Sequence, residues 1–479
     1  MKDISLSIIN KLQSNGFQAY WVGGCVRDIL MGKTPKDYDI VTSAKPDEIE
    51  KLLSEYNILS VGKQFGIIIV VIDGHQFEIA TFRSESSYSD SRHPDKVFWT
   101  SASKDAERRD FTINGLFLDP LTSVKIDDWK LEGIRQMKST EYGLVIDYVG
   151  GIKDLEEKII RFIGNAEDRI NEDNLRMLRA IRFKNILGFG YTEETIKAIK
   201  NNSKKINSVS SERIRDELDK MMSHKSRYDA LMDLDKFGLL KVILPELEKL
   251  KGVPQPDIFH QEGDVFTHSV LSVKSLRADA PLTLVWAVLL HDSGKPDTIM
   301  MPKTKNDRIR FNKHVKYSAG IASKIARRLK FANFERELIV WLVKNHMIIG
   351  DIPRMAIAKQ RKWLMDRRFP WLLELTKADS LGTEPVRLDL YEKDLKLYNE
   401  AKKLHDEEMK KPKFKPFITG SDLILKLGLD ESPVIGKLLE QIEDAQLEGK
   451  IRNKKEALEY ARKLIEQNNA SRQVPDNVI

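Results

Sequence analysis

The apolar positions along the chain change period once, and that change divides the molecule. Residues 1–15, "MKDISLSIINKLQSN", carry isoleucine and leucine at helical spacing and end at Gly16, which predicts an amphipathic helix. From there to about residue 120, the runs "FQAYWV", "YDIV", "FGIIIVVI" and "HQFEIATF" are rich in β-branched and aromatic residues and predict strands. Helical pieces such as "PDEIEKLLSEY" lie between them, so the first domain is expected to be α/β. Beyond about residue 150 the period is helical almost throughout, as in "EDNLRMLRAIRFKNILGF" and "IRDELDKMMSH". Four domains are expected, over residues 1–145, 146–250, 251–385 and 386–479. A Lys/Pro-rich linker, "KKPKFKP", occupies 410–416, and the polar end "QNNASRQVPDNVI" is expected to be loose.

Composition narrows the class. The 479 residues are 41% hydrophobic and 32% charged, as in a folded, largely helical protein, and exceed what one core can hold. A net charge of +7 favours an acidic partner such as nucleic acid. The single cysteine, Cys25, excludes an internal disulfide framework and a cysteine-based zinc site, and points to a reducing compartment. The longest apolar run, "PLTLVWAVLL" at 281–290, is half of the about 20 residues a bilayer crossing needs. The amino-terminal stretch has none of the organisation of a signal peptide. A cytoplasmic protein without a membrane partner is expected.

The stretch "YWVGGCVRDILMGKTPKDYDIV", 20–41, concentrates the chemistry. "AYWV" predicts a strand and "CVRDILMG" a short helix, placing Gly23 and Gly24 at the turn between them. Glycines there let backbone approach a ligand, the helix N-terminus offers free N–H groups to an anion, and Arg27 is on the first turn. Asp37 and Asp39 are expected to begin the next strand, where alternate residues share a face. Two such carboxylates repel unless a cation neutralises them, and Mg2+, which also takes phosphate oxygens, suits the pair. Glu78, in "QFEIATF", is a candidate third carboxylate. In isolation, either feature could equally be an ordinary turn or two solvated acids.

"GGCVRD" followed by "DYDI" resembles the catalytic core of the polymerase-β-like nucleotidyltransferases, in the branch of the tRNA CCA-adding enzymes and bacterial poly(A) polymerases. "RRDFTINGL", 108–116, and "EDNLRMLRAIRF", 172–183, resemble two further signatures of that branch, and the resemblance spans roughly 17–230. It implies an α+β fold: a nucleotidyltransferase α/β head followed by an all-α neck and body. The implied reaction is attack of an RNA 3′-hydroxyl on the α-phosphate of a nucleoside triphosphate, with two metal ions assisting. Asp37, Asp39 and Glu78 would be catalytic, the first two as Mg2+ ligands. Gly23, Gly24, Arg27 and Arg109 would hold nucleotide, and Asp110 and Asn114 would brace the site. By helical geometry Asp173, Arg176, Arg179 and Arg182 share one broad face while Met177, Leu178 and Ile181 face a core; three cations in a row call for an anionic ligand. In the family the acid and first arginine select cytosine or adenine without a template; here these would be Asp173 and Arg176, with Arg179 and Arg182 holding the nucleotide. The polar segment 83–107 corresponds to a family loop that helps switch from C to A addition. Residues 121–145 occur where relatives have a short connection, and are expected to form a hairpin or loop insertion.

Five of the nine histidines lie between 260 and 346, and "WAVLLHDSGKP" places His291 and Asp292 at the end of an apolar helix. Imidazoles with carboxylates suit a divalent transition metal that activates water for phosphoester hydrolysis. The segment resembles the HD phosphohydrolase superfamily, which implies an all-α HD domain with His268 as first ligand, His291 and Asp292 as central pair and Asp379 as last. His314 and His346 would be further ligands or phosphate contacts. "FITGSDLILKLGLDESPVIGKLLEQIEDAQLEGKI" resembles the helical end of the HD-bearing branch, with Ser432 where a glycine is expected. Lys402, Lys403, Lys410, Lys411, Lys413 and Lys415 could meet RNA backbone or simply be a solvated linker.

The leading expectation is a CCA-adding tRNA nucleotidyltransferase using ATP and CTP, with tRNA as partner and an HD phosphohydrolase module. Its near alternative is a CC-adding, A-adding or poly(A) polymerase; the alternative of another class is a hydrolase or RNA-binding protein with an inactive head. The sequence leaves the oligomeric state open.

Overall fold

A computed structural model describes residues 1–60, 62–86, 96–121, 133–304, 307–409, 416–430 and 432–471. The chain forms two compact units. One comprises Met1–Lys251 with Arg277–Val285 and Lys324–Ala332; the other comprises Gly252–Leu276, Trp286–Ser323 and Asn333–Ile479.

The first unit opens with helix α1 (Lys2–Ser14), which buries Ile8, Ile9 and Leu12 and ends before Gly16 at φ +85°. Strand β1 (Ala19–Val22) is wholly buried, and the indole N–H of Trp21 donates to Ser5 Oγ on α1 at 3.1 Å. Then follow α2 (Gly24–Leu30), β2 (Ile40–Thr42), α3 (Pro46–Leu52), β3 (Asn57–Leu59), β4 (Ile67–Ile72) and β5 (His75–Thr81). A ribbon of β6 (Arg83–Ser86) and β7 (Lys96–Trp99) leads to α4 (Ala102–Glu107), and β8 (Leu116–Asp119), β9 (Gln136–Thr140) and β10 (Gly143–Asp147) complete the sheet. Its order is β3-β4-β5-β2-β1-β8-β10-β9, with β2 and β5 parallel and the other neighbours antiparallel. Runs such as "IIIVVI" bury alternate residues Ile68 and Val70 against α1 and α3, as a sheet covered on that face requires.

One expectation needs adjustment here, and one is met. Asp37 and Asp39 precede β2 rather than lying in it, yet the segment is extended: Asp37 and Asp39 are exposed on either side of buried Tyr38, and Val22 N–H donates to the Asp39 carbonyl. The insertion at 121–145 contains the β9–β10 hairpin, whose second strand enters the sheet beside β8; residues 122–132 lie outside the described residues. So do 87–95 of the polar segment, the linker lysines 410, 411, 413 and 415, and the tail from 472.

The rest of this unit is helical: α5 (Gly151–Glu156), α6 (Ala166–Glu172), α7 (Arg176–Leu187), α8 (Glu193–Asn202), α9 (Ser211–Met222), α10 (Arg227–Lys236), α11 (Leu240–Ile243) and α12 (Pro245–Glu248). Met177, Leu178 and Ile181 of α7 are 0% exposed, as their spacing predicts. Asp173, however, is not part of that helical row. It caps the end of α6 in extended backbone, and its Oδ1 accepts the Leu175 N–H at 3.1 Å, a local turn that competes with helix.

The second unit contains α13 (Val265–Ser275), the end of α14 (Leu282–Leu290), the start of α15 (His314–Arg328), α16 (Asn333–Asn345), α17 (Ile357–Leu364), α18 (Phe369–Leu381), α19 (Leu388–Met409), α20 (Gly420–Leu427), α21 (Pro433–Leu447) and α22 (Lys454–Ser471). Asp264 caps α13 through Thr267 N–H at 2.8 Å. The fold is therefore α+β, a sheet-based head followed by helices. No helix among the described residues is long and apolar enough to cross a membrane.

Candidate active site

In the first unit the end of β1 turns sharply into α2. Gly23 sits at φ +73°, and a side chain there would meet Arg109 Nη1 at 3.6 Å. That turn forms one wall of a cavity of about 610 Å³, whose other walls come from the segment before β2, the residues after α4 and the region of α6, α7 and α9. Its volume is that of an ordinary small-molecule site, about 300–1,000 Å³. Gly23, Gly24, Arg27, Asp37, Asp39, Arg109, Asp110, Asn114, Asp173, Arg176, Arg179 and Arg182 all line it. Glu78 does not; it is exposed on β5, near enough for its charge to act on Asp39.

Asp37 and Asp39 have no hydrogen-bond or ion-pair partner for their side chains among the described residues. The surrounding protein withdraws water from Asp39, and the negative charges of Glu78 and Asp37 add to this, lifting its carboxyl to about 6 against the partial opposition of Arg109. Accessible oxygens with unrelieved like charge are a donor set that fits a hard divalent cation. Neighbouring Cys25 is pushed up to about 12 by burial and by Asp39, which removes thiolate chemistry from this site.

The arginines are arranged differently. Rather than repelling one another in want of a ligand, the three on α7 each meet a carboxylate from elsewhere: Arg176 with Glu172 at 2.5 Å, Arg179 with Asp110 at 2.6 Å and Arg182 with Glu217 at 2.6 Å. Arg176 also donates to the carbonyls of Arg169 and Arg108. Asp173 is held by Arg213 of α9 at 2.8 and 3.2 Å, not by Arg176. Arg109 pairs with buried Asp105 at 2.9 Å. A continuous chain of contacts runs Arg27 Nη1 to Asn114 Oδ1 (2.8 Å), Asn114 Nδ2 to Asp110 Oδ1 (3.1 Å) and Arg179 Nε to Asp110 Oδ2 (2.7 Å). Burial alone would raise the Asp110 carboxyl, but the Arg179 guanidinium and the Asn114 amide hold it below the usual range. The ring of Phe183 lies 4.1 Å from the Arg182 guanidinium and 5.3 and 5.4 Å from those of Arg27 and Arg179.

With seven arginines and five aspartates, the cavity can accept a polyphosphate and a metal together. Arg213 and Phe183 were not singled out from the sequence. Phe183 is adjacent to the arginine row, whereas nothing in one dimension marks Arg213, which meets Asp173 across 40 positions.

The second unit gathers the histidines. His268 on α13, His291 and Asp292 after α14, His314 at the start of α15, His346 after α16 and Asp379 on α18 meet in one cluster. His291 Nε2 is 3.1 Å from Asp292 Oδ2 and 3.5 Å from Asp379 Oδ1. His314 Nε2 is 3.3 Å from His346 Nε2. Three triads of ligand atoms, His260/Glu262/His268, His268/His291/Asp292 and Asp292/His314/His346, each lie within 4.8 Å, the first two sharing His268 and the last two Asp292. His291 Nε2 is buried without a hydrogen bond of proper geometry, so the donor set fits a transition metal. Burial opposes charging of His291, but Asp292 and Asp379 outweigh it and lift the ring to about 10; burial and His291 drive His346 down to about 4, leaving it neutral. Lys295, unremarked in the sequence, contacts Asp292 at 2.6 Å and lines a cavity of about 530 Å³ with Arg308, Arg310 and Arg387.

Family comparisons agree with this division. A model described as Poly A polymerase head domain matches residues 19–161, one for the RNA and SrmB-binding site of polymerase A matches 188–251, the HD domain matches 265–404 and tRNA nucleotidyltransferase domain 2 matches 388–461. The CCA-adding enzyme of Lactobacillus delbrueckii subsp. bulgaricus is 40% identical over 236 residues, 49% of this chain, which thus spans about half (54%) of that relative's length. The CCA-adding enzyme of Ligilactobacillus salivarius is 30% identical over 478 residues, covering 97% of this chain and 96% of the relative. Among solved structures, the Bacillus stearothermophilus CCA-adding enzyme in complex with CTP superposes with a TM-score of 0.68 at 25% identity, over 98% of both chains.

Proposed function

Because the chain belongs to the family of CCA-adding enzymes, we propose that it adds C, C and A to tRNA 3′ ends from CTP and ATP without a nucleic-acid template. The observation that carries this is the cavity in which Asp37 and Asp39, without side-chain partners among the described residues, face a wall of arginines already fixed by acids. The tRNA 3′-oxygen bonds to the α-phosphorus, the bond from that phosphorus to the bridging oxygen breaks, and pyrophosphate leaves. Asp37 and Asp39 would hold Mg2+, with Glu78 contributing charge from outside the cavity. Bound metal lowers the pKa of the attacking hydroxyl and neutralises the leaving group.

The remaining residues position the nucleotide, which is most of what such a transfer requires. The Gly23–Gly24 turn and Arg27 and Arg109 hold the triphosphate. Asp110 and Asn114 fix Arg27 and Arg179, and Arg182 completes the cationic wall. Asp173 accepts from, and Arg176 donates to, the Watson–Crick edge of the incoming base, an edge on which cytosine and adenine differ. Arg213 and Glu172 hold these two readers in place. tRNA as substrate and a buried lone cysteine are in keeping with the cytoplasm.

A second activity is favoured by the histidine cluster: hydrolysis of a phosphoester, with His268, His291, Asp292 and Asp379 holding a transition metal, His314 and His346 completing it, and Lys295 beside the substrate phosphate. The test for transfer is incorporation of labelled CTP or ATP into tRNAs ending before the first C, after CC and after CCA. C must enter the first, A the second and nothing the third. Continued A addition to unrelated RNA would make the protein a poly(A) polymerase instead.

A further inference from the structure

The histidine cluster contains a carboxylate outside the set proposed to hold the metal. Glu262 precedes the Asp264 cap of α13 by two residues, and its side chain is 1% exposed. Oε1 lies 2.8 Å from His260 Nδ1 and 3.0 Å from His268 Nδ1. Oε2 accepts the Glu384 N–H at 2.8 Å, and the Gln261 N–H donates to the Glu384 carbonyl at 2.6 Å, so side chain and backbone are tied to one loop. Gly263 takes φ +124°, which a residue bearing a side chain rarely adopts, and so allows the chain to turn from Glu262 into the helix.

A carboxylate this deeply buried needs several donors. Among the described donors around Glu262, His268 carries a second ring nitrogen toward Asp292 and Asp379. Its ring is fully buried, and its other nitrogen, Nε2, faces Asp379 Oδ1 at 2.8 Å and Asp292 Oδ2 at 3.8 Å. The Gly382 carbonyl is hydrogen-bonded to the same Nδ1 at 3.3 Å, and the Glu262 carboxylate lies nearer to it, at 3.0 Å, adding its charge on that side. An imidazole binds a cation through a nitrogen bearing a lone pair, and a carboxylate on the opposite nitrogen keeps the proton there and makes the lone pair more basic.

We propose that Glu262 is a positioning residue: it holds the proton on His268 Nδ1, so that Nε2 is the atom offered to a divalent transition metal shared with His291 and Asp292. This rests on the metal-site reading of the cluster. The test titrates the full-length chain with Co2+ and follows the visible absorption of histidine-bound cobalt, counting only the band that Asp292→Ala removes. Glu262→Ala should weaken Co2+ binding about 10–100-fold, and Glu262→Gln, which still presents an oxygen to Nδ1–H, should weaken it less. Should Glu262→Ala fail to fold, Glu262→Gln alone decides. Affinities equal to wild type in the folded variants would overturn the positioning role. A wild-type chain without any Asp292-dependent band would instead overturn the metal site itself.

Discussion

Replacing Asp110 by asparagine separates the structural from the chemical demands on the nucleotide cavity. Asp110 is 8% exposed, and its carboxylate receives three hydrogen bonds, from Phe111 N–H at 2.8 Å and Asn114 Nδ2 at 3.1 Å on Oδ1 and from Arg179 Nε at 2.7 Å on Oδ2, with Arg179 Nη2 in ion-pair contact with Oδ2 at 2.6 Å. An amide has one acceptor atom. Whichever way it rotates, it sets an N–H₂ against donors on one side and withdraws the charge facing Arg179. Breaking a wholly buried pair costs about 3–5 kcal/mol. The Arg179 side chain is 33% exposed, however, and water can recover part of that loss. The charged hydrogen bonds then set the scale, and Asp110→Asn is expected to destabilise the head by about 2–3 kcal/mol. The assay is urea unfolding at pH 7 read by hydrogen exchange of peptides from residues 105–118, so that the transition reported is that of the head. The pH dependence supplies a second check. The Asp110 carboxyl is held below its ordinary range in the folded state, so its contribution is complete above the unfolded value of about 3.9 and is lost as pH falls through the folded one. The gap between wild type and variant should therefore narrow below about pH 4. A difference under about 0.5 kcal/mol at pH 7, within the scatter of surface substitutions, would refute the reasoning.

Asp39→Ala should abolish nucleotide incorporation and leave hydrolysis of a phosphodiester at the histidine site unchanged, while Asp292→Ala should do the reverse; loss of both activities in one folded variant would defeat the two-site reading. Because the Asp39 carboxyl of the metal-free protein is raised to about 6, Asp39→Asn should gain stability relative to wild type without Mg2+ above pH 6 but not below about 3.8, where the aspartate is protonated in both states. A pH–stability difference of opposite sign would show that Asp39 is instead stabilised as the anion. Arg176→Ala should blur the choice between CTP and ATP by about tenfold, the worth of about 1.4 kcal/mol, and Arg213→Ala should do so to a smaller degree by freeing Asp173; unchanged base choice in misincorporation assays with both variants would remove the base-reading role.

The parts of the fold that could be read in one dimension are those whose signal is local. The strand–glycine–helix turn at 19–30, the alternation at 37–39 around buried Tyr38, and the histidine at the end of an apolar helix all follow from spacing and backbone preference within a few residues. Where the reading failed, a distant partner or a local hydrogen bond had replaced periodicity. The arginine row on α7 looked like cations awaiting an anion, yet Glu172, Asp110 and Glu217 already face them. Asp173 left the helical face because its side chain caps its own backbone. Glu262 carries no signal in one dimension; burial beside His268 is what distinguishes it.

The contacts Arg27–Asn114–Asp110–Arg179 cross from α2 through the turn after α4 to α7. The wall expected to grasp phosphates and the wall expected to choose the base thus share one latch. A chimera that borrowed its first 100 or so residues from a homologue would bring a foreign Arg27 to a native Asn114, and any mismatch of reach at that junction would be transmitted to Arg179. Grafts between such proteins should succeed only when both ends of the latch travel together, so sequence drift on one wall is constrained by the other.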